Sequence, residues 1–115
     1  VIRLGAADRV KIKVTKHGLD GARLISEMLA AAGMTAVLGH VFEMGLAAVS
    51  EAHLAASLSN LAEPHEIGSM QPIGVHADII HENLRTQPGF LRLPSGPGLG
   101  VNLDWDQISY FRTSI

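Results

Sequence analysis

The amino-acid sequence predicts an α/β fold built on parallel strands. A strand with alternating side chains, a helix of about three turns and a short apolar strand follow one another over residues 10–39 with short connections. A second helical segment then begins, so strands and helices alternate along the chain. This alternation is typical of either a (β/α) barrel or a doubly wound sheet.

The first predicted strand alternates apolar and basic side chains. Val10, Ile12 and Val14 share one face, whereas Lys11 and Lys13 share the other. The β-branched residues favour an extended conformation. Taken alone, a lysine face indicates an edge strand or a half-exposed strand.

The next segment predicts a helix and then a buried strand. The helix follows the break at His17-Gly18, with Asp20 as its N-cap and Gly33 as its stop. Residues 35–39 are nearly all apolar, which is typical of a parallel strand covered on both faces. The apolar stripe of the helix consists of Ala22, Ile25, Leu29 and Ala32.

The pattern then repeats once and changes near residue 69. Residues 44–58 are rich in Ala and Leu and predict a closely packed helix, and a third, very short strand is expected within 63–68. Beyond it we expect a short helix over 76–84 and strands near 90–93 and 101–103 around a Pro/Gly-rich connection. Asp104 should cap a final short helix, and this tail should pack on another part of the molecule.

Composition limits the class of protein. The 115 residues are 47% hydrophobic and 17% charged with a net charge of -2, which does not fit a nucleic-acid binder or a disordered chain. The absence of cysteine excludes disulfides and suits a reducing, cytoplasmic setting. No apolar run approaches the roughly 18 residues of a membrane span. The start lacks methionine and a signal-peptide pattern, so we expect a longer polypeptide.

Four motifs together resemble the enolase superfamily, in the muconate-lactonizing-enzyme branch of the mandelate racemase/muconate lactonizing enzyme family. Residues 12–18 resemble the sixth barrel strand, 38–45 the seventh strand and its turn, and 63–68 the eighth strand. Residues 97–101 are similar to the family's closing Pro-Gly-Leu-Gly segment. Each motif is weak by itself, but their order and spacing make the resemblance specific.

The resemblance implies that residues 1–68 form strands 6–8 of a TIM-like (β/α) barrel. Residues 69–115 would then return to an N-terminal capping domain. It also implies a divalent metal, Mg²⁺ or Mn²⁺, whose ligands lie on strands outside this segment, so no metal ligand is expected here. Leu19 stands where the family usually has a second glycine, and His40 where it often has Ser or Thr.

The resemblance also implies roles for five residues. Lys13 would be the catalytic acid/base and Glu43 a second catalytic group, while Lys11, His40 and Glu66 would line the substrate. Simpler interpretations remain open: Glu43 in a salt bridge, His40 as a hydrogen-bonded filler, and Glu66 as a helix cap or ion-pair partner. Burial of a lysine lowers its pKa, which suits it to act as a base near neutral pH.

The implied activity is that of a metal-dependent isomerase, either a cycloisomerase or a racemase/epimerase. It would remove the proton α to the carboxylate of a small substrate and stabilise the enolate. The full-length enzyme is expected to be a homo-oligomer without nucleic-acid or membrane partners. The alternative is a non-catalytic or dissected fragment that acts only by association with the rest of the barrel.

Overall fold

The chain begins with a parallel βαβ unit, as the sequence predicts. The computed structural model describes residues 1–40, 42–67, 77–82, 84, 86–87 and 89–112. After a short 3-10 turn, strand β1 (Arg9–Ile12) leads into helix α1 (Val14–Ala31) and then into strand β2 (Thr35–Leu38). The two strands pair in parallel over their full length. The described sheet therefore has the connectivity expected of a (β/α) unit.

Helix α1 begins earlier than predicted. Lys13 is its N-cap, with extended backbone angles, so β1 ends at Ile12 and Val14 lies in a helical turn rather than in the strand. Gly18 interrupts the helix with φ 66° and ψ 176°, a conformation that is essentially restricted to glycine. This glycine separates the short turn after Lys13 from the longer helix that the sequence predicts. Gly33, at φ 70°, ends that helix as expected.

The second helix is confirmed, and the third strand is corrected. Helix α2 spans Gly45–Ser57, close to the predicted 44–58. No strand occurs within the described residues 63–67; instead Leu61 forms an isolated parallel bridge with Ala36. The Glu66 N–H still donates to the Leu38 carbonyl at 3.0 Å, so the later segment also follows the edge of β2.

Two apolar clusters hold these elements together. One lies between the strands and the helices, and the other joins α2 to the tail. Three small residues of α2, Gly45, Ala48 and Ala52, are buried, which allows the close packing that its composition predicts. The buried members are Ile12, Ala22, Leu29, Ala36, Leu38 and Leu54 in the first cluster, and Ala48, Val49, Ile80 and Leu84 in the second.

The tail packs against α2 and differs from the prediction at its start. Within the described part of 76–84 there is no helix; Ile80 instead bridges Leu103 in antiparallel fashion. Strands β3 (Thr86–Gln87) and β4 (Phe90–Leu91) form a small antiparallel pair. Helix α3 (Trp105–Phe111) is capped by Asp104, whose carboxylate accepts the Gln107 N–H at 3.0 Å, as predicted.

The tail also completes the start of α2. Met44 is the N-cap residue of α2 but gives no capping side-chain hydrogen bond. Both carboxylate oxygens of Asp78 accept the Gly45 N–H at 2.9 Å instead. A residue 33 positions away thereby satisfies an N–H that helix geometry leaves unpaired. In the part of the chain described here, no helix is both long and apolar enough to cross a membrane.

Candidate active site

Lys11 and Lys13 both reach from β1 to the segments that follow the neighbouring strands. The Lys13 amine donates to the His40 carbonyl at 3.2 Å. The Lys11 amine binds the Glu66 carboxylate at 2.6 Å, and its stem covers Gly39 so closely that a Cβ there would overlap it. The hydrogen bond from Lys11 is the main reason that the pKa of Glu66 lies below its usual range.

His40 and Glu43 meet just beyond the carboxyl end of β2. His40 Nδ1 lies 2.9 Å from Glu43 Oε2, although neither nitrogen of the ring has a well-aligned hydrogen bond among the described residues. The Thr15 hydroxyl donates to the other Glu43 oxygen at 3.3 Å. Phe42, between them, has a positive φ of 55°, a conformation that is uncommon for a non-glycine residue. His40 and Glu43, three positions apart, are thereby in contact with each other.

Glu51 is a site residue that the sequence analysis missed. Its side chain is only 1% exposed, and its Oε2 lies 3.9 Å from His40 Nδ1. Burial and the nearby Glu43 carboxylate raise the pKa of Glu51 to about 7, against the opposing effects of the Val14 backbone and of Lys13. The sequence contained one indication of this residue, since Glu51 is the single Asp, Glu, Lys or Arg within α2.

A cation could in principle be held at this place. One nitrogen of His40 and one oxygen each of Glu43 and Glu51 lie within 4.8 Å of one another, and within the described ranges they form the one such group. The Lys13 amine supplies positive charge near Glu51, however, and the His40–Glu43 contact is already close. We therefore interpret the group as a cluster of interacting titratable side chains; the location of the metal-binding carboxylates on strands outside this segment stays a prediction.

A groove of about 860 Å³ lies elsewhere along α2. It runs between that helix, the segment around Pro64 and the β4 strand, and none of the predicted site residues lines it. His65 lines the groove, and its Nδ1 is buried without a hydrogen-bond partner in the described part of the chain. The groove is therefore separate from the candidate site.

The five residues singled out from the sequence lie in two sets of direct contacts. Lys11 contacts Glu66, Lys13 contacts His40, and His40 contacts Glu43. Lys13, His40 and Glu43 follow the carboxyl ends of β1 and β2, where enzymes with (β/α) folds place their reactive groups, whereas Lys11 lies within β1. The proximity of these groups does not test the individual roles.

An amine, an imidazole and carboxyl groups lie together near the ends of β1 and β2 in an α/β fold. The chain belongs to the enolase C-terminal domain-like family, whose model matches residues 1–107. A solved structure of a mandelate racemase/muconate lactonizing family protein from Azoarcus sp. EbN1 superposes with a TM-score of 0.85 at 31% identity, covering 98% of this chain and 32% of that one. The resemblance stated from the motifs is thereby confirmed.

Curated relatives include enzymes with two kinds of name. Muconate cycloisomerase 1-2 of Acinetobacter lwoffii is 32% identical over 108 residues, which cover 93% of this chain and 28% of the relative. N-succinylamino acid racemase of Thermus thermophilus is 31% identical over 103 residues, covering 89% of this chain and 27% of the relative. The chain thus spans less than a third of the length of these relatives.

Proposed function

We propose that this chain supplies part of the active site of a metal-dependent isomerase that abstracts the proton α to a carboxylate. The observation that carries this proposal is the Lys13 amine at the end of β1, beside His40 and Glu43. Relatives named muconate cycloisomerase and N-succinylamino acid racemase support a carboxylate substrate. Cycloisomerisation and racemisation or epimerisation both remain within this proposal.

The contacts of the two lysines favour Lys13 as the acid/base. Lys13 donates to the neutral carbonyl of His40 and forms no ion pair among the described residues. Lys11 is engaged by Glu66 in an ion pair of 2.6 Å, so its amine already has a carboxylate partner. In the proposed reaction, neutral Lys13 accepts the α-proton at Nζ and returns it, or a solvent proton, to the product.

The other residues would bind and orient the substrate. The Lys11 ammonium provides positive charge for a substrate carboxylate, and Glu66 holds its amine in place. His40 would contact the substrate at the site entrance, and Glu43 would orient His40 and accept from Thr15. A divalent metal, held by residues outside this chain, would stabilise the enolate charge when bound.

The proposed barrel places this site in its context. The parallel pair of β1 and β2, extended by the Leu61 bridge, would form strands six to eight, with residues 69–115 returning to a capping domain. In a closed barrel the lysine face of β1 would point to the axis and not to bulk water. The competing hypothesis is a fragment that acts only by association; three carboxylates on successive strands and a Lys-x-Lys upstream of Val1 would exclude it.

Replacing Lys13 tests the proposal. Lys13→Met in the full-length polypeptide keeps most of the stem's volume and removes the amine, so the fold should survive. Turnover of a carboxylate substrate should fall at least about 100-fold, the lower range for general acid–base catalysis. Exchange of the α-hydrogen with deuterated solvent should fail from one face of the substrate.

The matched control is Lys16→Met, since Lys16 is an exposed lysine in the same helical turn. This variant should retain wild-type turnover and exchange. Near-normal turnover and exchange in Lys13→Met would contradict the assignment of Lys13 and leave β1 as an ordinary strand with a basic face.

A further inference from the structure

The carboxyl group of Glu51 is energetically unfavourable in its buried position. A buried carboxyl group loses its hydration, and an apolar side chain of similar size would fill the same space without that loss. Glu51 nevertheless lies in a helix whose other buried residues are small or apolar, with 1% of its side chain exposed. Core packing alone therefore gives no reason for a carboxyl group here.

The carboxyl group of Glu51 lies beside residues that follow both β1 and β2. A hydrogen bond links its carboxyl group to the backbone of Val14, the residue that follows Lys13. Its Oε2 has no hydrogen-bond partner among the described residues and lies 3.9 Å from His40 Nδ1. Both ring nitrogens of His40 likewise lack an aligned partner within the described part of the chain. Rotation of the His40 ring would exchange its 2.9 Å contact with Glu43 Oε2, made by the same nitrogen, for a hydrogen bond to Glu51.

We propose that Glu51 is a positioning residue that holds His40 and the turn after Lys13 in one arrangement. One part of its carboxyl group fixes the Val14 backbone, and Oε2 forms a hydrogen bond with His40 Nδ1. That bond directs Nδ1 toward α2 and leaves Nε2 for the substrate. The consequence for catalysis depends on the proposed function, whereas the Glu51–His40 hydrogen bond does not.

The charges around Glu51 set the state of this hydrogen bond. The groups that face it are Glu43, Lys13 and His40, two of which are basic. With the pKa of Glu51 raised to about 7, its carboxyl group changes protonation near neutral pH. When protonated, Glu51 donates its O–H to Nδ1; when ionised, it accepts the Nδ1–H. Ionisation releases one proton to solvent, and the neutral ring then carries its proton on Nδ1 instead of Nε2, so a hydrogen bond between Oε2 and Nδ1 is present in both states.

The test uses NMR spectroscopy to observe the ring nitrogens of His40 in the full-length protein labelled with ¹⁵N-histidine. The signals of His40 are those that disappear in His40→Asn. Glu51→Gln should shift them and change the balance of the two neutral tautomers, while the signals of distant histidines stay in place. The matched control is Glu27→Gln, which alters an exposed carboxylate paired with Arg23 on α1 and should leave the His40 signals unchanged.

Kinetics provides the second readout. Loss of a partner that orients a functional ring costs on the order of 10–100-fold in comparable arrangements, so turnover of Glu51→Gln should fall within that range. An inflection near pH 7 in the wild-type profile should disappear. Unchanged His40 signals in a folded Glu51→Gln variant would overturn the proposal, as would binding of Zn²⁺ or Mn²⁺ by wild type that Glu51→Gln abolishes.

Two further outcomes are distinguishable. If Glu51→Gln does not fold, the reciprocal measurement follows the ¹³C carboxyl signal of Glu51, whose titration midpoint should move in His40→Asn; an unmoved midpoint overturns the proposal. If Lys13→Met retains turnover, the proposed reaction fails, but the ring signals of His40 still decide whether Glu51 holds it.

Discussion

Glu51→Gln should stabilise the protein above pH 7 and have little effect near pH 4. The pKa of Glu51 is about 7 in the folded state and near its usual 4.5 in the unfolded chain. Between pH 4.5 and about pH 7, the folded protein holds a proton on Glu51 that the unfolded chain has released. The free energy of unfolding therefore falls as pH rises through this range. Above pH 7 the loss is complete, and 2.5 pKa units correspond to about 3 kcal/mol.

Glutamine is neutral at every pH and can still accept from the Val14 backbone, so Glu51→Gln removes this loss. The assay is thermal unfolding of full-length wild type and variant at one scan rate across pH 4–8. The variant should match wild type at the acidic end and unfold several degrees higher at pH 8, since each kcal/mol moves a midpoint by about 2–4 °C in domains of 150–250 residues. Comparison at fixed pH cancels the titration of all other groups.

The matched control is again Glu27→Gln, on the exposed face of α1, whose difference from wild type should be small and nearly independent of pH. A Glu51→Gln variant that is less stable than wild type by the same amount at pH 4 and pH 8 would refute the reasoning. That result would mean that Glu51 is not destabilised by ionisation in its buried position.

Three other predictions use the same full-length protein. Asp78→Ala should lower the free energy of unfolding by about 0.5–2 kcal/mol, because it removes the cap on Gly45, whereas Asp78→Asn should retain part of it; equal losses would contradict the capping role. Gly18→Ala should cost about 1–3 kcal/mol, because alanine is strained at φ 66° and ψ 176°; an unchanged thermal midpoint would contradict this. His40→Ser should change turnover or substrate preference while the midpoint stays close to wild type; a loss of about 1–3 kcal/mol with unchanged kinetics would instead indicate a core histidine.

The sequence predicts best the features that depend on nearby residues. The helix over residues 45–57 and the Asp104 cap follow from local composition and from a side chain three positions before its N–H partner. The end of β1 was misplaced because the β-branched Val14 and Thr15 favour strand, whereas the turn after Lys13 is helical. At this turn, the contacts that hold the helical conformation outweigh the strand propensity of Val14 and Thr15.

The errors elsewhere involve partners far along the chain. Ile80 pairs with Leu103, and no periodic pattern around residue 80 announces that contact. Family motifs indicated Lys13 and His40, and the structure places the Lys13 amine in contact with the His40 carbonyl, while their roles stay predictions. Glu51 was missed because its role depends on side chains that are not its neighbours in sequence. These are Glu43 and His40, 8 and 11 positions earlier, together with the distant Val14 backbone.

The cap that Asp78 provides links the site to the order in which the chain is made. Helix α2 carries Glu51, yet its first turn is completed by a residue synthesised 33 positions later. Until that residue has emerged and docked, the Gly45 N–H lacks its acceptor and the start of the helix can fray. The first turn of the helix that carries Glu51 therefore gains its acceptor only after both lysines and β1 have left the ribosome.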